Sequence, residues 1–256
     1  MKRLYQLLQV EFSSWALAVL LLSCGVIMTP CLFVYTALRD YNEFTIHQRF
    51  EDLFLSAGGS AVFILYLLVL LLFFAKTVYG DYWGSKGVYT LLTLPIKRMY
   101  VYTSKLIALC ISMLVLIAAQ LLGIALSYSV YASKVASYGD GRFVTENGLF
   151  LAFVRSRFFR LLLPPTWPEW LFSLTLLVVL ASGCYYVVLC ERAKRFWAIV
   201  PFIAAIWLMI RAINARLDIP YGDSLAAQYW HVSLLLGCTV WFIGYGIRLV
   251  KRGAIV

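Results

Sequence analysis

The chain has 256 residues, 63% of them hydrophobic and 13% charged, with a mean hydropathy of +0.85. Such values lie far outside those of soluble domains and predict an integral membrane protein. The net charge of +10 and pI near 9.4 fit a topological bias toward anionic lipid, and give no reason to expect nucleic acid.

A helix needs about 20 mainly apolar residues to cross roughly 30 Å of hydrocarbon. Six stretches qualify, at about 15–38, 57–79, 106–132, 171–190, 197–213 and 230–249. The expected fold is an all-α membrane protein with six transmembrane helices, forming a single transmembrane domain over residues 1–256.

Residues Met1 to Ser14 precede the first span. Leu4, Leu7, Leu8 and Phe12 share one helical face while Lys2, Gln6, Gln9 and Ser13 share the other, which predicts an amphipathic interfacial helix along the inner leaflet. The alternative is that these residues are simply the cytoplasmic turns of the first span. Lys2 and Arg3 precede a run too long for a signal h-region, with no small-residue cleavage site after it, so the run is expected to stay as an anchor.

Outside, Arg39 to Ser56 forms a loop of mixed charge, and a longer segment runs from Ser133 to Trp170. Within the latter, "T-E-N-G-L-F-L-A-F-V-R-S-R-F-F-R-L-L-L-P-P" opens on a cap at Thr145 to Asn147 and stops at Pro164 and Pro165, predicting one helix. Arg155, Arg157 and Arg160 would each cost about 2.5–3.5 kcal/mol at the bilayer centre. The helix is therefore expected at the outer interface, with a re-entrant helix as the alternative, and Trp167 and Trp170 as belt residues. The fourth and fifth spans are joined only by "E-R-A-K-R-F", a tight basic hairpin whose Glu191, Arg192, Lys194 and Arg195 form a candidate second docking loop.

With the N-terminus inside, the cytoplasmic segments hold 13 of the 22 basic residues but only Glu11, Asp81 and Glu191 among the acidic ones. By the positive-inside rule this predicts a multi-pass protein of the cell membrane with both termini cytoplasmic. The six cysteines, at 24, 31, 110, 184, 190 and 238, lie in or beside apolar runs without C-x-x-C or histidine spacing. They are expected to be free, buried thiols, with no metal site.

The spans contain no aspartate or glutamate, and their one histidine, His231, stands at an outer end. A hydrolase would need a nucleophile and base or metal ligands, and an ion-coupled transporter typically an intramembrane carboxylate or histidine. No catalytic, metal or cofactor residue is therefore expected, and the chain is predicted not to be an enzyme. Ser23, Thr29, Pro30, Gln120, Ser127, Ser173, Ser182 and Thr239 within the spans suit helix packing.

The segment "Y-G-D-Y-W-G-S-K-G-V-Y-T-L-L-T-L-P-I-K-R" first suggests a phosphate cradle. A P-loop requires G-x-x-x-x-G-K-[ST] after a buried strand, whereas Gly80 and Gly84 here precede Ser85, Lys86 and Gly87, after a membrane helix. Val88 to Leu94 is instead a short run with a leucine face, ended by Pro95, and Lys97 to Lys105 begins a new helix. That pattern suits a short coupling helix held across the inner membrane surface; the alternative is that Asp81 to Lys105 only anchors the inner leaflet through its basic and aromatic residues.

The sequence from Asp81 to Lys105 resembles the signature between the second and third spans of ABC-2-type exporter permeases. Asp81, Leu91, Leu92, Leu94, Pro95, Ile96, Arg98 and Lys105 match in order. Asp81 stands where glutamate is commoner, and Lys86-Gly87 where Gly-Thr is usual. Elsewhere the agreement is one of architecture.

The resemblance implies the membrane-spanning subunit of an ATP-driven exporter of an amphiphilic substrate, whether peptide, drug or lipid-linked. Two copies of a separate ABC ATPase, which would bind ATP and Mg, would dock on Asp81, Gly84, Lys86, Gly87, Tyr89, Leu91, Leu92, Leu94, Pro95, Lys97 and Arg98. The other partners implied are a second permease, identical or related, and membrane lipid. The alternatives are a lipid-acting enzyme or accessory protein working through the Arg155, Arg157 and Arg160 helix, and a gradient-driven transporter.

Overall fold

The computed structural model describes residues 2–40, 48–83, 98–137, 147–194, 196–218 and 225–251. Regular structure among them is entirely helical: α1 (Lys2–Ala37), α2 (Phe50–Ser56), α3 (Gly59–Trp83), α4 (Arg98–Ala136), α5 (Gly148–Arg155), α6 (Arg157–Leu162), α7 (Trp167–Arg192), α8 (Val200–Asp218) and α9 (Leu225–Lys251). Short 3-10 turns follow α1 at Leu38–Asp40 and precede α8 at Phe196–Ile199.

Five helices among the described residues, α1, α3, α4, α7 and α9, are long and apolar enough to cross a membrane. The protein is thus a multi-pass membrane protein in outline, and the sixth expected span, 197–213, is not among those five. Its first residues form the 3-10 turn, and the 19-residue α8 carries Arg211 and Arg216 in its second half.

The expected interfacial helix at residues 1–14 is not a separate element. The described residues from Lys2 onward are the first turns of the 36-residue α1, roughly 54 Å long at 1.5 Å per residue. Neither glycine nor proline interrupts them, and the Ser14 hydroxyl donates back to the Glu11 carbonyl at 2.7 Å, which preserves the helix.

The contacts divide the chain into two compact units, one of residues 16–70 and 112–165, the other of residues 1–15, 71–111 and 166–256.

In the first unit, α1 and α4 approach so closely that a Cβ on Gly123 would lie 3.1 Å from the Val26 carbonyl oxygen. Pro30 lacks the N–H that would otherwise bind that carbonyl within α1. The Ser127 hydroxyl of α4 donates to Cys31 Sγ of α1 at 3.5 Å, and Tyr66 of α3 meets Thr29 of α1 at 3.0 Å. Small residues and short polar side chains hold membrane helices in this way because lipid leaves no hydrophobic drive between them.

The outer loop expected at 39–56 contains a helix, α2. It ends at Ala57, and Gly58 takes the left-handed conformation, φ 88°, which a glycine adopts without steric cost. The single helix expected between Asn147 and Pro164 is instead two, α5 and α6, broken at Ser156. Extended there, Ser156 caps α6 by accepting from the Phe159 N–H at 3.4 Å. At 8 and 6 residues, neither helix approaches the length of a span. Phe159, fully buried, binds them to α2 through Phe50 and Phe54, with ring centroids 6.1 and 5.2 Å away.

In the second unit, α7 and α9 pack along each other, with Tyr186 against Phe242 at 4.9 Å, and α8 joins them through Phe202. Arg216 near the end of α8 lies on the Phe172 ring at 5.0 Å, donates to the Ser173 hydroxyl at 3.0 Å, and pairs with Glu169 at 3.4 Å. Partners on α7 thus satisfy a cation that lipid would not.

All six cysteines are free, but only Cys190 is buried and Cys24 is exposed. The expectation of buried thiols fails at Cys24 because an apolar membrane helix presents much of its surface to lipid rather than protein.

Candidate functional site

The candidate docking segment lies between the last turn of α3 and the first turn of α4. Asp81 belongs to the end of α3 and Arg98 opens α4. Gly84, Lys86, Gly87, Tyr89, Leu91, Leu92, Leu94, Pro95 and Lys97 lie outside the described residues, as does Arg195 of the second loop. The early turns of α1 and α4 and the last turns of α3 and α7 belong to one compact unit.

Among these turns, Lys105 Nζ and Glu11 Oε1 form an ion pair, 2.8 Å apart. The Lys105 side chain is 2% exposed and that of Glu11 14%. Lys105 lies two turns into α4 and Glu11 in the early turns of α1. Removing Lys105 would take this partner from a carboxylate largely shielded from water, which costs more than replacing both members by apolar groups.

Aromatic contacts join the same helices. Trp15 of α1 meets Phe74 of α3 edge-on at 5.5 Å, and Phe74 in turn meets Tyr185 of α7 edge-on at 5.4 Å. Tyr185 stacks on Tyr102 of α4 at 4.8 Å with an interplanar angle of 12°. Edge-to-face and offset-stacked geometries are those that ring quadrupoles favour. The contacts close a ring: α1 to α4 through Glu11–Lys105, α4 to α7 through the tyrosine stack, α7 to α3, and α3 back to α1.

The candidate second loop joins the same cluster. Glu191, in the last turn of α7, accepts a hydrogen bond from the Tyr79 hydroxyl of α3, two residues before Asp81. Arg192 ends α7, and Lys194 follows in a left-handed conformation, φ 53°, that turns the chain away from the helix. Glu191 of the second loop is therefore tied to the α3 end that leads into the first.

The ion pair is the feature that the reading of the sequence missed. Glu11 is the sole acid on the largely apolar face-forming turns before the first span, and such a charge calls for a partner. In the sequence Lys105 is only one basic residue among several before the third apolar run.

Elsewhere, a cleft of about 280 Å³ at the far ends of α1 and α4 is lined by Tyr35, Leu38, Arg39, Val130, Ser133, Lys134 and Ser137. The hydroxyls of Ser133 and Ser137 donate to the carbonyls of Val130 and Lys134, and Lys134 stands in the last turn of α4, where a cation complements the helix dipole. Arg155, the last residue of α5, and Arg157, the first of α6, are exposed, and Arg160 of α6 is half-buried.

No protein-family model, curated protein or solved structure matches the chain.

Proposed function

We propose that the protein is the membrane-spanning subunit of an ATP-driven exporter and that it receives its driving force from a separate ATPase. What supports this reading is the position in the chain of the Leu91-Leu92-x-Leu94-Pro95 motif. It links two long membrane helices, α3 and α4, whose adjoining ends belong to the closed ring with α1 and α7. A load applied to that segment therefore has a packed route into four helices at once.

In this reading the ends bearing the segment face the cytoplasm, two ATPase copies bind ATP and Mg, and the permease works as a dimer with itself or a related chain. ATP would bias an equilibrium between two arrangements of the helices, as any ligand does that binds one state better. An amphiphilic substrate would move across an apolar path between them.

The test is gentle solubilisation from the native membrane followed by affinity capture and identification of bound chains. An ATPase subunit is expected in the eluate. Leu91→Asp together with Leu92→Asp should abolish that capture while the chain still inserts. A chain that repeatedly purifies without any ATPase sinks the proposal.

A further inference from the structure

We infer that the Glu11–Lys105 ion pair is a positioning joint that forces the first turns of α1 to follow the start of α4. As a step in transport this deepens the permease reading and rests on it; as a mechanical link it rests on the geometry alone.

The ring that joins α1, α4, α7 and α3 has links of two kinds. Trp15–Phe74, Phe74–Tyr185 and Tyr185–Tyr102 are contacts between rings, whose energy changes little when one ring slides slightly over another. Glu11–Lys105 is different, because its strength depends on distance and direction, and its lysine is 2% exposed. Turning α4 away from α1 would separate opposite charges in surroundings with little water to replace either partner. The helices can therefore shear at the aromatic contacts but are pinned at the ion pair.

Its position suits that role. Lys105 is two helical turns beyond Arg98, where α4 begins after the 84–97 segment, so it lies on the same side of the helix as the point of entry. Glu11 sits four residues before Trp15, one turn away on the same face of α1, so the pair and the Trp15–Phe74 contact grip α1 together. A displacement entering α4 from the segment would reach α1 through this pair before the aromatic contacts tighten.

The experiment is hydrogen–deuterium exchange on the full chain in lipid nanodiscs, without any partner. It compares the native protein with Lys105→Met, Lys105→Arg and the exchanged pair Glu11→Lys/Lys105→Glu. In Lys105→Met, exchange at residues 5–15 of α1 is expected to rise about tenfold while α9 stays unchanged, because the loss is transmitted across helices rather than spread over the fold. Lys105→Arg and the exchanged pair should return exchange at residues 5–15 to within about threefold of native, since each restores opposite charges.

If Lys105→Met does not fold, Glu11→Gln/Lys105→Met removes both charges without leaving one buried, and should show the same rise at residues 5–15. Unchanged exchange at those residues in every folded variant lacking the pair, or failure of both rescues, overturns the joint. Because no ATPase takes part, failure to capture one would overturn the permease reading while leaving this result standing.

Discussion

Gln120 offers the most direct test of the packing in the first unit. It is fully buried in α4, and neither its amide nitrogen nor its oxygen has a hydrogen-bond partner among the described residues. A buried amide without partners costs about 1–3 kcal/mol by mutational measures. Gln120→Met keeps an unbranched chain of similar length without the polar atoms, and near-isosteric core exchanges usually cost below about 1.5 kcal/mol. The balance is a gain of about 1 kcal/mol, equivalent to a rise in Tm of about 2–4 °C for a chain of this size.

Gln120→Ala removes the same polar atoms but leaves a cavity, whose cost of about 2–5 kcal/mol exceeds that gain, so it should lower Tm. Thermal unfolding of the three proteins in one detergent, followed by tryptophan fluorescence, reads both shifts. A Met variant that melts several degrees below the native protein would refute the reasoning, because it would mean that the amide is bonded and stabilising.

Further outcomes follow from the same geometry. Gly123→Val should destabilise by about 1–3 kcal/mol, since its Cβ meets backbone of Val26 and Ile27 at 3.1–3.4 Å. Gly244→Ala, with nothing within 4 Å, should be neutral or gain up to about 1 kcal/mol from helix propensity; equal melting temperatures for the two variants would contradict the close approach of α1 and α4. Arg216→Met should cost about 1–3 kcal/mol and Arg216→Met/Glu169→Leu less than that, because the single change leaves a half-buried carboxylate unpaired. With single cysteines introduced at Lys194 and Arg155 in a background lacking the native thiols, a membrane-impermeant maleimide should label the first only from the cytoplasm and the second only from outside. The opposite pattern would reverse the orientation inferred from charge.

The class of fold was legible because membrane insertion is read from local composition. Twenty apolar residues satisfy the hydrocarbon wherever they occur, and five of the six expected spans correspond to helices of suitable length and apolarity. The exception is instructive: residues 197–213 are apolar enough, yet their beginning forms a 3-10 turn and Arg211 and Arg216 stand near the far end of α8. Breaks and joins were harder to foresee. Ser156 divides the predicted outer helix because a short side chain can cap a following turn, while Ser13 and Ser14, chemically similar, lie inside an unbroken α1.

The motif of Leu91, Leu92, Leu94 and Pro95 rests on local turn chemistry and leucine spacing, and it lies outside the described residues. The packing of the described helix ends could not be read in that way. Glu11 and Lys105 are separated by 94 positions, and nothing in the spacing of either announces the other.

The sequence alone determined that this is a helical membrane protein with an excess of basic residues and a short leucine–proline motif between two of its apolar runs, since hydropathy and charge act residue by residue. Only the tertiary structure decided that α1, α3, α4 and α7 close on one another through a buried ion pair and three aromatic contacts. Helix association in lipid depends on which small, aromatic and charged side chains meet, and that meeting is a property of the packed helices rather than of any one stretch of chain.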